Sequence, residues 1–134
     1  MDKIEQGLML EKIIVGSMGV NCYLLADSQT KETIIIDPGD DYPKIKKFID
    51  KNKLEPKFII NTHGHIDHIG ADDKFNFPIY IHTLDRDCLT DSRKNLSAFF
   101  SIPKSFSSNI KLLEDKEMIN LGSINLDVMN TAVY

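Results

Sequence analysis

The sequence predicts an α/β fold in a single domain spanning residues 1–134, a mixed sheet with flanking helices. Three observations lead there. Short β-branched or aliphatic runs, each bounded by Gly, Pro, Asp or Ser, recur up to His82. An amphipathic helical stretch that opens at Pro43 interrupts them, and strand–helix alternation of this kind marks the α/β class. The length of 134 residues, with 42% apolar and 27% charged residues, fits one globular domain. A domain of that size buries roughly two thirds of its unfolded surface.

The elements follow in order. Leu8 to Val15 is apolar apart from Glu11-Lys12 and reads as a strand. Gly16-Ser17-Met18-Gly19 is a turn, Asn21 to Ala26 a second strand, and Asp27 to Thr30 another turn. Thr33 to Ile36 is β-branched throughout, and Asp37-Pro38-Gly39 ends it, because Pro and Gly both break a ladder. Pro43 then sits at the start of a helix, with Asp40 and Asp41 as candidate N-caps. Ile45, Phe48 and Ile49 share one face of it. The other face carries Lys44, Lys46, Lys47 and Lys51, with Lys53 just beyond, and reads as a solvated surface. Pro56 precedes a strand from Phe58 to Asn61. Ile79 to Ile81 is a strand that leads to a helix from Thr83 to Leu89. Asp91 to Asn109 is rich in Ser and reads as a loop. Gly122-Ser123 between Met118–Leu121 and Ile124–Met129 predicts a two-residue hairpin with Gly first.

Bulk properties exclude several classes. A net charge of −4 gives no reason to expect nucleic acid or an anionic membrane as partner. No apolar run is long enough to span a membrane, and Met1 to Gln6 lacks the pattern of a secretion signal. A cytoplasmic location is the expectation. Cys22 and Cys88 form no C-x-x-C pair and read as two reduced thiols.

Three of the four histidines fall in Thr62-His63-Gly64-His65-Ile66-Asp67-His68, directly after the strand Phe58 to Asn61. Imidazoles and a carboxylate this dense are hard to place in a core and easy to place around Zn²⁺, Fe or Mn²⁺. Residues two apart in an extended backbone point the same way, so His63 and His65 can hold one ion. Gly64 lets the chain pass close to it. Asp67 and His68 fall where a short helix starts and point elsewhere, towards a second ion. That is the layout of a two-metal site, whose natural chemistry is hydrolysis. His82, alone after a strand, reads as structural.

Together these residues resemble the metallo-β-lactamase superfamily, and within it the hydroxyacylglutathione-hydrolase-like branch. The resemblance rests on His63 to His68, on Gly19 to Leu25, on Ile34 to Gly39, on Asn95-Leu96-Ser97, and on Leu112 to Asp115 with Ile119 to Gly122. It runs from about Met9 to Thr131. It implies that His63 and His65 bind a first metal and that Asp67 and His68 bind a second. It also gives Asp67 the role of accepting a proton from the nucleophilic water, and Asp37 that of orienting ligands beside the site. The implied cofactor is Zn, one or two ions, with Fe or Mn as alternatives. The implied substrate is a small thioester or ester. Lactonase, phosphodiesterase, β-lactamase and one-iron persulfide dioxygenase activities share the scaffold.

Members of that family run to roughly 200 residues, beyond this chain's length on the domain-size scale. Their fold is an αββα sandwich, of which this sequence matches the N-terminal half to two thirds. The expectation is therefore a truncated member that lacks three later metal ligands and leaves a sheet face open. Two readings follow: a metal-dependent hydrolase, completed by a C-terminal half, or a non-catalytic remnant that self-associates as a homo-oligomer.

Overall fold

Short aliphatic runs build most of this molecule, and successive residues along a strand point to opposite faces of its sheet. The computed structural model describes residues 2–5, 7–97, 110–122 and 124–128. Its strands are β1 (Asp2–Glu5), β2 (Leu8–Val15), β3 (Val20–Asp27), β4 (Glu32–Ile36), β5 (Glu55–Asn61), β6 (Ile79–His82), β7 (Ile110–Leu113), β8 (Met118–Leu121) and β9 (Ile124–Asp127). Its helices are α1 (Tyr42–Lys51), α2 (Ile66–Ile69), α3 (Asp72–Phe75) and α4 (Arg86–Thr90), the last preceded by a 3₁₀ turn at Thr83–Asp85.

Strands β1 to β7 lie side by side in chain order. The first four pair antiparallel, because short turns join them: Val15 pairs with Val20 across a turn whose Gly16 and Gly19 take φ of 73° and 64°. From β4 onward the pairing is parallel, and each crossover carries helix. The α/β class and the mixed sheet with flanking helices are thus what the chain adopts.

Alternation along the strands divides the core in two. Cys22, Leu24, Ala26, Ile35, Ile59 and Ile81 face the helices and pack with Ile45 and Ile49 of α1, Ile69, Phe75 and Leu89. Leu25, Ile34, Phe58 and Leu113 face the other way, onto Ile119 and Leu121 of the β8–β9 hairpin. Helices, large sheet and second-sheet strands therefore stack in that order, as in the first three layers of an αββα sandwich. At the hairpin, Leu121 pairs with Ile124, and Gly122 takes a φ of 57°. A Cβ there would displace the Asp27 carboxylate, and the positive φ also favours glycine.

Several boundaries differ from the sequence reading, for physical reasons. β5 begins at Glu55, so Pro56 lies inside the strand. It is tolerated because the β4–β5 register shifts there: Thr33 pairs with Pro56 and Ile34 with Phe58. Asp41 occupies the N-cap position of α1 but does not cap it with its side chain. Its φ is 58°, and its carboxylate instead accepts from Gly16 N at 2.8 Å, tying the β2–β3 turn to α1. The 83–89 helix splits into the 3₁₀ turn and α4. Strands β1 and β7 and the short helix α3 had too few periodic residues to stand out. Residues 98–109 of the expected loop, Ser123 of the hairpin turn and Met129 at its end lie outside the described residues.

Both sides of the sheet carry fully buried side chains, so truncation should be costly on each. Ile34→Ala and Ile35→Ala remove adjacent, wholly enclosed side chains that point to opposite cores. Each is expected to destabilise the chain by about 2–5 kcal/mol in urea unfolding. A loss below about 1 kcal/mol for Ile34→Ala would mean that the hairpin side is not a packed core.

Candidate metal centre

Parallel strands bring their carboxyl ends to one edge, and in open α/β sheets ligands bind there. Here β4 delivers Asp37 to that edge and β5 delivers Thr62 to His68. The two connect directly: Asp37 N donates to Ile60 O at 3.0 Å, continuing the β4–β5 pairing past the strand.

Asp37 is buried, and a buried carboxylate needs partners. Its Oδ1 accepts from Thr62 N at 2.7 Å, and its Oδ2 accepts a short hydrogen bond from Thr62 Oγ1. The same Oδ2 lies 3.1 Å from His68 Nδ1. A carboxylate opposite Nδ1 selects the tautomer with hydrogen on Nδ1 and leaves the lone pair on Nε2. Nε2 is 3.6 Å from Asp67 Oδ2. Partial burial draws the His68 pKa down, but the Asp37 hydrogen bond and charge, with Asp67 behind them, turn the net direction upward.

Close backbone packing holds this loop to the Asp37 turn. Pro38 O accepts from Ala71 N at 2.8 Å. A Cβ on Gly39 would overlap the Asp67 carbonyl, and one on Gly70 would overlap the Gly39 carbonyl. Glycine at both positions is therefore a packing requirement. Gly64 meets the same kind of limit against the Cβ of Cys88 in α4. Below the loop, Asn61 Nδ2 donates to Asp72 Oδ1 at 3.2 Å, and both residues are buried. The sequence reading missed Thr62, Gly39, Gly70 and Asn61. Pro-Gly after Asp37 was the one available signal, since a Thr or Asn at a strand end is commonplace.

The four candidate donors meet in a particular way. His63 and His68 stack edge to face with ring centroids 4.2 Å apart, while His63 and His65 are 6.3 Å apart. The His63 ring thus lies nearer to His68 than to His65. Zn–N bonds of about 2.0–2.1 Å at tetrahedral angles set two imidazoles that share an ion roughly 5 Å apart between centroids, so the His63–His68 pair is closer, and the His63–His65 pair wider, than such a pair. Among the described residues no three such donors already converge on one position. Closing around an ion would take side-chain rotation of His63 and His65, which are half-buried and exposed respectively. His82 caps the 3₁₀ turn instead: its Nδ1 accepts from Leu84 N at 3.2 Å, and its Nε2 is 3.2 Å from Asp115.

A groove of about 310 Å³ opens beside Asp67. Val15, Met18, Val20 and Ile66 supply its apolar wall, and its charged lining residues, Asp40 and Asp67, are both acidic. Cys22 lies under the site, fully buried. Burial first, then the charges of Asp37 and Asp72, push its thiol up to about 12.

A family model described as the metallo-beta-lactamase superfamily matches residues 15–123. An uncharacterized Mycobacterium tuberculosis protein is 35% identical over 130 residues, covering 87% of this chain and 57% of that protein. The probable metallo-hydrolase YqgX of Bacillus subtilis is 33% identical over 123 residues, with 87% and 57% covered. Hydroxyacylglutathione hydrolase GloC of Haemophilus influenzae is 27% identical over 127 residues, with 90% and 59% covered. The chain therefore spans somewhat over half the length of these relatives. Among solved structures, the B3 metallo-beta-lactamase BLEG-1 superposes with a TM-score of 0.81 at 31% identity, over 92% of this chain and 62% of that one. A di-iron-bound form of TTHA1623 superposes with a TM-score of 0.67 at 28% identity, over 81% of this chain and 56% of that one.

Gly39→Ala should destabilise the protein by about 3 kcal/mol, because the added carbon meets backbone that cannot step aside. Gly7→Ala, in open space at a φ of 86°, should cost only about 1 kcal/mol. Equal losses in urea unfolding would refute the interlocked turn. Cys22, protonated well above neutral pH, should stay unmodified by a thiol reagent at pH 8 in the native protein and react once the chain is unfolded.

Proposed function

The chain belongs to the metallo-beta-lactamase superfamily, and from that premise we propose that it acts as a metal-dependent hydrolase on a small thioester or ester. The observation that carries this reading is the donor set: three imidazoles and a carboxylate gathered in one loop, at the carboxyl edge of the parallel strands and beside an open groove. His63 and His65 would hold a first ion and Asp67 and His68 a second. Zn²⁺ suits these donors, and so do iron and manganese; the di-iron-bound relative is in keeping with that range. Such ions, when bound, supply Lewis acidity and lower the pKa of water.

The remaining work belongs to the chain's own residues. Asp37 holds the His68 ring through Nδ1, so that Nε2 is the nitrogen free to ligate. Asp67 is half-buried at the rim of the groove, where a carboxylate can take a proton from the attacking water. The apolar wall formed by Val15, Met18, Val20 and Ile66 would receive the acyl part of the substrate. With two acidic lining residues, that wall favours an uncharged acyl group over a carboxylate at the same place. The names of YqgX and GloC support the hydrolase class, and GloC supports the thioester.

The test is direct. Protein loaded with Zn²⁺, Fe²⁺ or Mn²⁺ should turn over acyl thioesters or aryl esters, and a chelator should abolish the activity. His65→Ala and Asp67→Asn should each lower kcat/KM by roughly 10²–10⁴-fold. Absence of bound metal, with turnover no higher than that of His65→Ala, would refute the proposal.

A further inference from the structure

The segment Asn95-Leu96-Ser97 contributes nothing to the donor set, yet Asn95 and Ser97 are fully buried. Buried polar residues that serve no ligand commonly hold something in place. The backbone carbonyl of Asn95 accepts from Ile66 N at 2.7 Å, and Ile66 is the residue between His65 and Asp67. The Asn95 side chain is engaged at both ends. Its Nδ2 donates to Cys88 O at 2.8 Å, and its Oδ1 accepts from Ser97 N at 2.9 Å. Leu96 takes a φ of 71°, an uncommon conformation for its side chain, and this turn brings Ser97 N back onto Oδ1.

Cys88 is the second half of the arrangement. Its Cβ fills the space over Gly64, between His63 and His65, so closely that no side chain could replace the glycine hydrogen. Segment 88–97 therefore presses on the histidine loop at two points, Gly64 and Ile66. The Asn95–Cys88 hydrogen bond joins those two points and sets the distance between them.

We propose that Asn95 is a positioning residue of the metal centre, clamping the 63–68 loop from behind so that His63 and His65 face the ion. The proposal rests on the metal-hydrolase reading. A loop held in shape before binding loses less conformational freedom when its side chains close on a ligand. Residues that orient metal ligands at one remove typically change affinity 10–100-fold when replaced.

Asn95→Asp keeps the size and the acceptor for Ser97 N but replaces the donor to Cys88 O with an oxygen. Asn95→Ala removes both bonds. Ile49→Ala, in the buried face of α1, serves as a destabilised comparison outside segments 63–68 and 88–97. Two quantities are read on folded protein: amide hydrogen exchange at Ile66 in the metal-free chain, and Zn²⁺ affinity by competition with a chromophoric chelator. Both Asn95 variants should speed Ile66 exchange by about tenfold or more and weaken Zn²⁺ binding about 10–100-fold, while Ile49→Ala leaves Zn²⁺ affinity within about twofold. Unchanged Ile66 exchange in Asn95→Asp overturns the clamp, even if Asn95→Ala fails to fold. Faster exchange with unchanged Zn²⁺ affinity overturns the positioning role, as does an Ile49→Ala loss of affinity equal to that of the Asn95 variants. A wild-type chain that binds no Zn²⁺ while Ile66 still responds sinks the hydrolase reading alone, because exchange is measured without metal.

Discussion

The carboxylate of Asp37 is buried at the end of β4, and the groups that compensate it organise the carboxyl edge of the sheet. An ionised carboxylate taken out of water costs several kcal/mol unless hydrogen bonds replace its hydration. Those hydrogen bonds come from Thr62, through both backbone and hydroxyl, and from the His68 ring. Those bonds rest on the parallel pairing of β4 and β5 with Ile36 opposite Ile60, which sets Asp37 beside the last residue of β5, one step before Thr62. Sheet register, turn and imidazole orientation are therefore one constraint. A slip of one residue in β5 would turn its side chains to the opposite faces and leave the carboxylate without its partners.

The loop that carries the donors has little stability of its own. Helix α2 spans only Ile66–Ile69, far below the length at which an isolated helix forms in water. Neighbouring backbone holds it instead: the Asp37-Pro38-Gly39 turn on one side and segment 88–97 on the other. Three glycines, Gly39, Gly64 and Gly70, allow these segments to approach within distances that any Cβ would prevent. The candidate donor side chains thus sit on a loop that is held by the scaffold beneath it.

Between the two cores, the large sheet transmits this order. Cys22, Leu24 and Ile35 pack towards the helices below the site, while Leu25 and Ile34 anchor the β8–β9 hairpin on the opposite face. Cys22 is fully enclosed on the helix side, and that burial is the main cause that pushes its thiol pKa up. The groove beside Asp67 forms where the β2–β3 turn leans towards α2, and the Asp41–Gly16 hydrogen bond restrains that turn from the α1 side.

Much of this was legible in the residues. Apolar and β-branched runs bounded by turn residues located β2, β3, β4, β5, β6 and β8, because burying such side chains is a local requirement that a core strand must meet. The candidate donors His63, His65, Asp67 and His68 stood out for a similar reason, since ligand chemistry is a property of side-chain type and spacing, and the resemblance was built on them. What the sequence could not express were contacts set by register and crossover. Strands β1 and β7 and helix α3 are held by neighbours rather than by their own periodicity, and Pro56 sits in a strand only because β4 and β5 shift register beside it. That Asp37 meets Thr62 and His68, 25 and 31 positions away, follows from parallel pairing. That His63 lies nearer His68 than His65 follows from the turn into α2. That Asn95 reaches Ile66 follows from the fold of the segment after α4. The sequence by itself determined which atoms could bind a metal; only the tertiary structure decided which of them are held, and by what, because that depends on distances between segments far apart along the chain.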